Sequence, residues 1–167
     1  IPAPDETLRA AARRRVDILT KPVGALGRIE PLAVALCAMQ GTLQPRISAP
    51  VAIVFAADHG VADRGVSAYP RAVTAQMVQN FLAGGAAISV LSRLQGMELW
   101  VVDAGGDGDC GTHPRLVNAK IRGGTRDFTA EPAMTAGECR EALLAGRRVL
   151  EQNAAADSNT AILGEMG

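Results

Sequence analysis

Apolar residues along this chain occur in short unbroken runs separated by stretches with helical spacing. The clearest run, Val51–Ala57, is short, and its β-branched and aromatic content is typical of a strand buried on both faces. Similar runs at residues 97–102 and 160–163 predict two more buried strands, and residues 119–122 predict a short additional one. Because helical stretches separate these strands, the pattern predicts an α/β fold with a parallel sheet.

Three helices are predicted between the strands. An apolar residue recurs at every fourth position over residues 73–82, and a second helix follows over residues 86–94 after a pair of glycines. Thr135 and Glu138 have the spacing of a capping box, so the third helix is predicted to begin there. Its predicted core face consists of Cys139, Ala142, Leu143, Gly146, Val149 and Leu150.

Two further helices are predicted before the first strand. Asp5 or Thr7 can cap the first of them, whose shared face is Leu8, Ala12, Val16 and Leu19. The second covers residues 26–39, and its predicted inward face is Ile29, Leu32, Leu36 and Met39. Since no strand alternates with these helices, residues 1–45 are expected either to form a separate helical layer or to embrace a partner subunit, whereas residues 46–167 form the α/β part.

Polar residues follow the predicted strands at the points where the apolar runs stop. Asp58, His59 and Gly60 follow the first strand, and Asp103 follows the second. The carboxyl ends of parallel strands are where open α/β sheets bind ligands, so these residues are expected to form one edge of a small-molecule site. The next loop carries Tyr69, the only tyrosine. The plain alternative is a strand-end cap followed by an ordinary turn.

Composition narrows the range of partners. The 17 basic residues balance the 17 acidic ones, and the densest basic cluster, Arg13 to Arg15, lies on an amphipathic helix, so nucleic acid is not an expected partner. No apolar run approaches the roughly 20 residues of a membrane span, so no membrane association is expected. Three widely spaced cysteines without a C-x-x-C pair favour reduced thiols and a cytoplasmic location.

A glycine-rich loop after the second strand offers two alternative chemistries. Residues 106–111 match the dinucleotide pattern G-x-G-x-x-G, but two acids inside the loop would repel a pyrophosphate, and the following residues do not begin a helix. A metal site is the second possibility, with Asp107, Asp109, Cys110 and His113 as ligands. The plain alternative is a flexible loop.

A metal site at the first strand end is a further alternative. Asp58, His59 and Gly60 resemble the Asp-His-Gly element of the alkaline phosphatase superfamily, in which both side chains bind metal. That resemblance would imply a metal-dependent phosphohydrolase. A two-metal hydrolase needs more ligands than this chain offers, because it contains only two histidines. We therefore expect no metal.

Several blocks, in order along the whole chain, resemble the nicotinate-nucleotide:dimethylbenzimidazole phosphoribosyltransferase family. The blocks are Lys21-Pro22, Gly24, Leu26-Gly27-Arg28 and Glu30; Ala57-Asp58-His59-Gly60-Val61 and Gly65-Val66-Ser67-Ala68-Tyr69-Pro70; Val73-Thr74, Gln76-Met77-Val78 and Asn80-Phe81; Gly84-Gly85-Ala86-Ala87-Ile88; Gly124-Thr125, Asp127-Phe128, Glu131 and Ala133-Met134-Thr135; and Gly164-Glu165-Met166-Gly167. The chain departs from the family pattern at Ala25, where a serine is usual, and at Pro31.

The resemblance implies a fold, a reaction and an assembly. It implies a Rossmann-like large domain that includes residues 46–167 and a smaller helical domain that includes residues 1–45. It implies transfer of the phosphoribosyl group of nicotinate mononucleotide to 5,6-dimethylbenzimidazole, giving α-ribazole 5'-phosphate and nicotinate for the lower ligand of cobalamin. No cofactor is implied, and family members are homodimers.

The resemblance also implies roles for particular residues. The acceptor-base pocket would include Ser67, Tyr69, Gln76 and Met77. The nucleotide and phosphate side would be a loop of Gly164, Glu165, Met166 and Gly167. The site edge expected from the strand ends themselves is Asp58, His59, Gly60 and Asp103. The family's general-base glutamate would lie beyond Gly167, so we expect this chain to be an N-terminal portion that contains no catalytic residue and is inactive alone.

Overall fold

A computed structural model of the chain describes residues 3–167, and the chain divides into two compact units, residues 1–47 and residues 48–167. The first unit contains α1 (Glu6–Asp17) and α2 (Ile29–Gln40). Asp5 caps α1, since its carboxylate accepts the backbone N–H groups of Thr7 and Leu8 at 2.8 and 3.0 Å. The prediction that this unit belongs to a smaller helical domain stays a prediction.

The buried side of α2 differs from the predicted one. Ile29, Leu32 and Met39 are exposed, and the buried residues are Glu30, Val34, Cys37 and Ala38. The buried side of α2 is shifted by about one residue from the predicted side, because Val34 and Cys37 pack against Ala12 of α1. Small side chains allow the two helices to approach closely, whereas the spacing of the largest apolar residues predicts the other side of α2. Leu19 follows the end of α1 and is also exposed.

The second unit is built on a parallel four-stranded sheet with the order β3-β2-β1-β4. Its elements are β1 (Val51–Ala57), a 3₁₀ helix (Gly60–Arg64), α3 (Ala72–Leu82), α4 (Ala87–Leu94), β2 (Glu98–Gly105), β3 (Leu116–Asn118), α5 (Ala136–Asn153) and β4 (Ala161–Met166). The predicted parallel α/β sheet with flanking helices is therefore confirmed.

Helices cover both faces of this sheet. Val149 of α5 packs with Val51, Ile53 and Val102 on one face, whereas Val78 of α3 packs with Ala56 and Val101 on the other. The alternation of neighbouring residues between two apolar layers explains why β1 is an unbroken apolar run. No helix within residues 3–167 combines the length and the apolarity needed to cross a membrane.

Three local predictions for this unit were wrong. The short strand next to β2 is Leu116–Asn118, and residues 119–122 lie outside it. Four members of the predicted α5 core face, namely Cys139, Ala142, Leu143 and Leu150, are exposed, because α5 packs on the sheet through Ala145 and Val149. Finally, residues 164–166 belong to β4 and are paired with β1 rather than forming a loop.

Candidate functional site

Asp58 connects the end of β1 to the loop that follows β2 through hydrogen bonds. Asp58 is 3 % exposed, and its Oδ2 accepts the backbone N–H of Asp107 at 2.7 Å. Its backbone N–H donates to the carbonyl oxygen of Gly105, and its own carbonyl accepts the N–H of Thr125, both at 3.0 Å. The end of β1 is thus held by two loops that come from distant parts of the sequence.

His59 is exposed beside Asp58 and pairs with a second loop. It forms a parallel β-bridge with Thr125, and its Nδ1 lies 3.3 Å from the Thr125 hydroxyl oxygen. The next residue, Gly60, accepts no side chain, because a Cβ there would lie 2.6 Å from the backbone nitrogen of Asp127. The glycine in Asp58-His59-Gly60 therefore allows the chain to pass directly against the Thr125 segment.

Cavity 1, of about 80 Å³, lies at the carboxyl ends of β1 and β4. Ser67 and Tyr69 line one side of it, and Asp58 and His59 line another. The remaining lining residues are Ala62, Pro70, Arg71, Val73, Thr74, Met166 and Gly167. The structure thus brings together residues from both of the predicted substrate sides. Gln76 and Met77 do not line this cavity.

Cavity 2, of about 160 Å³, lies on the other side of Asp58 and His59, which line both cavities. The other residues around it are Ala57, Ala104, Gly105, Ile121, Arg122, Gly124, Thr125, Met134 and Glu138. Glu138 is paired with Arg126 through two hydrogen bonds of 2.8 and 3.2 Å, and this pairing lowers the pKa of the Glu138 carboxyl to about 2. The wall of cavity 2 therefore includes the Glu138 carboxylate in its ionised form.

Met166 and Glu165 point to opposite faces of the sheet, as alternate residues of a strand must. Met166 pairs with Ala56, packs with the core layer on the α3 side and lines cavity 1. Glu165 pairs with Phe55 and is exposed, and it lines neither cavity. Of the predicted phosphate-side residues, Met166 and Gly167 reach the site.

Asp103 lies within β2, two residues before its end, and it lines neither cavity. Its carboxylate accepts the backbone N–H groups of Gly105 and Gly106 at 3.2 and 2.8 Å and pairs with Lys120 at 3.1 Å. Burial, reinforced by the nearby charge of Asp103, raises the pKa of the Cys110 thiol to about 11. Through its hydrogen bonds to Gly105 and Gly106 and its ion pair with Lys120, Asp103 stabilises the loop after β2.

Arg71 belongs to the wall of the candidate site, and no sequence pattern pointed to it. It lines cavity 1, and its guanidinium lies 2.9 Å from a carboxylate oxygen of Asp107 and 3.4 Å from one of Asp63. Thr125 was also given no role, although Gly124-Thr125 belongs to the blocks that carry the family resemblance. That resemblance was the one signal that pointed to this segment.

The geometry of the glycine-rich loop matches neither the dinucleotide site nor the metal site. Residues 106–111 lead into a turn and then into β3, so no helix begins where a pyrophosphate would need one. Asp109 accepts the N–H of Gly111, and His113 accepts the N–H of Arg115 at Nδ1. Within residues 3–167, no three His, Cys, Asp or Glu side chains are grouped so that they could hold a metal ion.

Comparison with known proteins gives consistent matches along the whole chain. A phosphoribosyltransferase family model matches residues 1–167. The nicotinate-nucleotide--dimethylbenzimidazole phosphoribosyltransferase of Cupriavidus taiwanensis is 53% identical over 167 residues, which is 100% of this chain and 48% of that protein. Its counterpart in Roseiflexus sp. is 51% identical over 165 residues, covering 98% of this chain and 46% of that protein.

Solved structures agree with these matches. The crystal structure of CobT from Thermus thermophilus superposes with a TM-score of 0.88 at 44% identity, over 96% of this chain and 48% of that one. The chain thus spans about half the length of the curated relatives and solved structures that it matches.

Proposed function

Because this chain belongs to the phosphoribosyltransferase family, we propose that it supplies the acceptor side of an enzyme that transfers phosphoribose from nicotinate mononucleotide to 5,6-dimethylbenzimidazole. The observation that carries the proposal is cavity 1. It joins the Ser67 and Tyr69 loop to the residues that follow β1 and β4, at the edge of the sheet where α/β proteins bind ligands. The products would be α-ribazole 5'-phosphate and nicotinate.

The reaction places different demands on the two bases. The bond between ribose and the pyridinium nitrogen breaks, and its electron pair returns to the ring, so nicotinate leaves without an acid. The benzimidazole nitrogen forms the new bond to ribose, and the N–H proton of that ring must pass to a base. The family resemblance assigns the base to a glutamate beyond Gly167, so the described residues would bind and orient the acceptor.

Cavity 1 would form one wall of the acceptor site. At about 80 Å³ it does not enclose a two-ring molecule, but Tyr69, which is 70 % exposed, extends the wall outward as a flat aromatic surface. Ser67 and Met166 supply one hydroxyl and one thioether. Gln76 and Met77 remain predicted contacts of the acceptor, although they lie outside the cavity.

The end of β4 would form the nucleotide side. Gly167 lies between the His59 ring and the carbonyl oxygen of Ala57, and a side chain there would have to displace that ring. A phosphate of the donor nucleotide would bind near this glycine and the residues that follow it. Gly164 and Glu165 would position that loop from within the strand.

The assembly and the location are also part of the proposal. A homodimer is implied by the family resemblance, and light scattering on the full-length protein would test it. A cytoplasmic location is supported by the three cysteines, none of which is in a disulfide.

The direct test is a product assay. The full-length protein is incubated with nicotinate mononucleotide and 5,6-dimethylbenzimidazole, and α-ribazole 5'-phosphate is measured with and without excess chelator. We expect turnover in both cases. The metal-dependent phosphohydrolase would be favoured if chelator abolished turnover and zinc restored it. Hydrolysis of phosphate monoesters in place of phosphoribosyl transfer would favour it as well.

A further inference from the structure

A third cavity, of about 280 Å³, lies between α3, α4 and the first half of β2. It shares no residue with cavities 1 and 2. Its apolar walls are formed by Phe81, Leu82, Met97, Leu99 and Val101. We call it cavity 3, and the phosphoribosyl transfer proposed above makes no use of it.

A buried hydroxyl in the wall of cavity 3 has no partner. Ser92 is 1 % exposed, and its Oγ forms no hydrogen bond within the described part of the chain. Ser89, one turn earlier on α4, shows the usual solution, because its hydroxyl donates to the carbonyl oxygen of Phe81 at 2.9 Å. Buried polar groups are normally hydrogen-bonded, so the Ser92 hydroxyl is a donor without a partner; solvent does not reach it, and it would meet a ligand only on rotation of its side chain.

An unpaired positive charge also borders cavity 3. The Arg93 side chain forms no ion pair or hydrogen bond with any residue from 3 to 167, and its Nη1 lies so near Gly84 that a Cβ there would be 3.1 Å away. The second guanidinium, that of Arg115, is already paired with Glu98 at 2.9 Å and lies 4.7 Å from the centre of the Trp100 ring. Arg93 is therefore the charge that a ligand would meet.

The remaining polar groups around cavity 3 are mostly donors. His113 accepts the backbone N–H of Arg115 at Nδ1, which leaves Nε2–H as a donor in the neutral ring. No aspartate or glutamate lines the cavity. Donors, a free guanidinium and apolar walls together select a ligand that carries a negative group on an apolar body.

We propose that cavity 3 binds a small organic anion with an apolar body of about one ring. Arg93 would hold the anionic group, rotation of the Ser92 side chain would bring its hydroxyl to the same group, and Leu99 and Val101 would contact the ring. The volume falls just below the range of about 300 to 1,000 Å³ that is typical of small-molecule sites, so a single ring fits better than a nucleotide. A guanidinium binds carboxylates and phosphates alike, so the class includes both.

The test is calorimetric titration of the purified protein with benzoate and with phenyl phosphate. Benzyl alcohol serves as the neutral ring and acetate as the anion without a ring. We expect at least one of the two aromatic anions to bind saturably at millimolar concentration, and both control molecules to bind at least about tenfold more weakly. Comparison of the two titrations shows which anionic group is preferred.

Variants locate the binding. We expect Arg93→Gln to weaken the binding of the aromatic anion about tenfold or more and Ser92→Ala about threefold or more. Arg140→Gln is the matched control, because Arg140 is exposed on α5, which packs on the other face of the sheet. Ser92→Ala removes a hydroxyl without a partner, so the protein should remain folded.

Backbone amide shifts of residues 92 and 93 should follow the same titration. The proposal is overturned if neither aromatic anion saturates, if benzyl alcohol binds equally well, or if both variants keep the parent affinity.

Discussion

The imidazole of His59 lies directly against Gly167, the residue that follows β4. A Cβ on Gly167 would be 2.9 Å from Nε2 and 3.0 Å from Cδ2 of that ring. It would also be 3.4 Å from the carbonyl oxygen of Ala57. Any side chain at position 167 must therefore move the ring that separates cavities 1 and 2.

Gly167→Ala is expected to impair substrate use more than folding. The His59 ring is exposed and can rotate away, so the free energy of unfolding should change little, whereas the KM for the acceptor base should rise about threefold or more. Steady-state kinetics of the full-length protein measure this. The double variant His59→Ala/Gly167→Ala should lose no more activity than His59→Ala alone, and fully additive losses would contradict the steric account.

Tyr69→Ala is expected to lower kcat/KM for 5,6-dimethylbenzimidazole. Removing an exposed aromatic wall typically costs on the order of 1 to 3 kcal/mol, or about 5- to 150-fold. Phe128→Ala is the matched control, because the Phe128 ring is 64 % exposed and lines neither cavity. Equal kinetics for the Tyr69 variant and the parent protein would remove Tyr69 from the site.

Gly60→Ala is expected to destabilise the α/β unit. The new Cβ would meet backbone atoms of Asp127 and Arg126 at 2.6 and 2.8 Å, and backbone cannot move aside as a flexible side chain can. Overpacking of this kind costs about 1 to 3 kcal/mol or more in urea unfolding. Gly146→Ala within α5 is the control, because a Cβ there meets nothing within 4 Å and should stabilise the helix. A Gly60 variant as stable as the parent would refute the close approach.

Two carboxylates near the site are held ionised in the folded protein. The Thr129 hydroxyl and backbone N–H donate hydrogen bonds to Asp127, and the Arg64 guanidinium donates another. Together these hydrogen bonds lower the pKa of the Asp127 carboxyl from 3.8 to about 2. The hydrogen bonds of Arg126 are the main cause that lowers the pKa of Glu138 from 4.5 to about 2. Since both values are lower in the folded state, the resulting stabilisation is complete above about pH 4.5 and is lost as the pH falls towards 2.

The urea midpoint should therefore fall across this pH window. Glu138→Gln should lower the midpoint at neutral pH and make its decline below pH 4.5 shallower, because the variant has one fewer group that takes up a proton on unfolding. Glu141→Gln on the same helix is the control and should keep the parent slope, since its partner Arg148 lies 3.9 Å away on the surface. Identical pH profiles for parent and Glu138→Gln would contradict the assignment.

Local signals predicted those parts of the fold in which neighbouring residues determine the structure. The run Val51–Ala57 is β1 to the residue, and the capping box of Thr135 and Glu138 begins α5 as predicted, with both of its hydrogen bonds present. The position of β3 and the buried side of α5 depend instead on packing against the sheet. Leu143 is exposed while the smaller Ala145 is buried, and residue size alone does not reveal this.

Local sequence patterns predicted the candidate site only where a strand ends in polar residues, whereas Ser67, Tyr69, Met166 and Gly167 were predicted through the family resemblance. Asp58 and His59 follow directly from the point at which the apolar run stops. The bond from the Asp107 amide to Asp58 joins residues 49 positions apart, and the contact of His59 with Thr125 joins residues 66 apart. Contacts of that separation leave no periodic trace in a sequence, so Arg71 and Thr125 emerged from the structure.

Nuclear Overhauser effects between 5,6-dimethylbenzimidazole and the protein would show directly where the acceptor base binds. We expect contacts from the ring methyl protons to the Tyr69 ring and to the Met166 methyl group, since both residues line cavity 1. Contacts to Met134 and Ile121 instead would place the base in cavity 2 and rule out cavity 1 as the acceptor site.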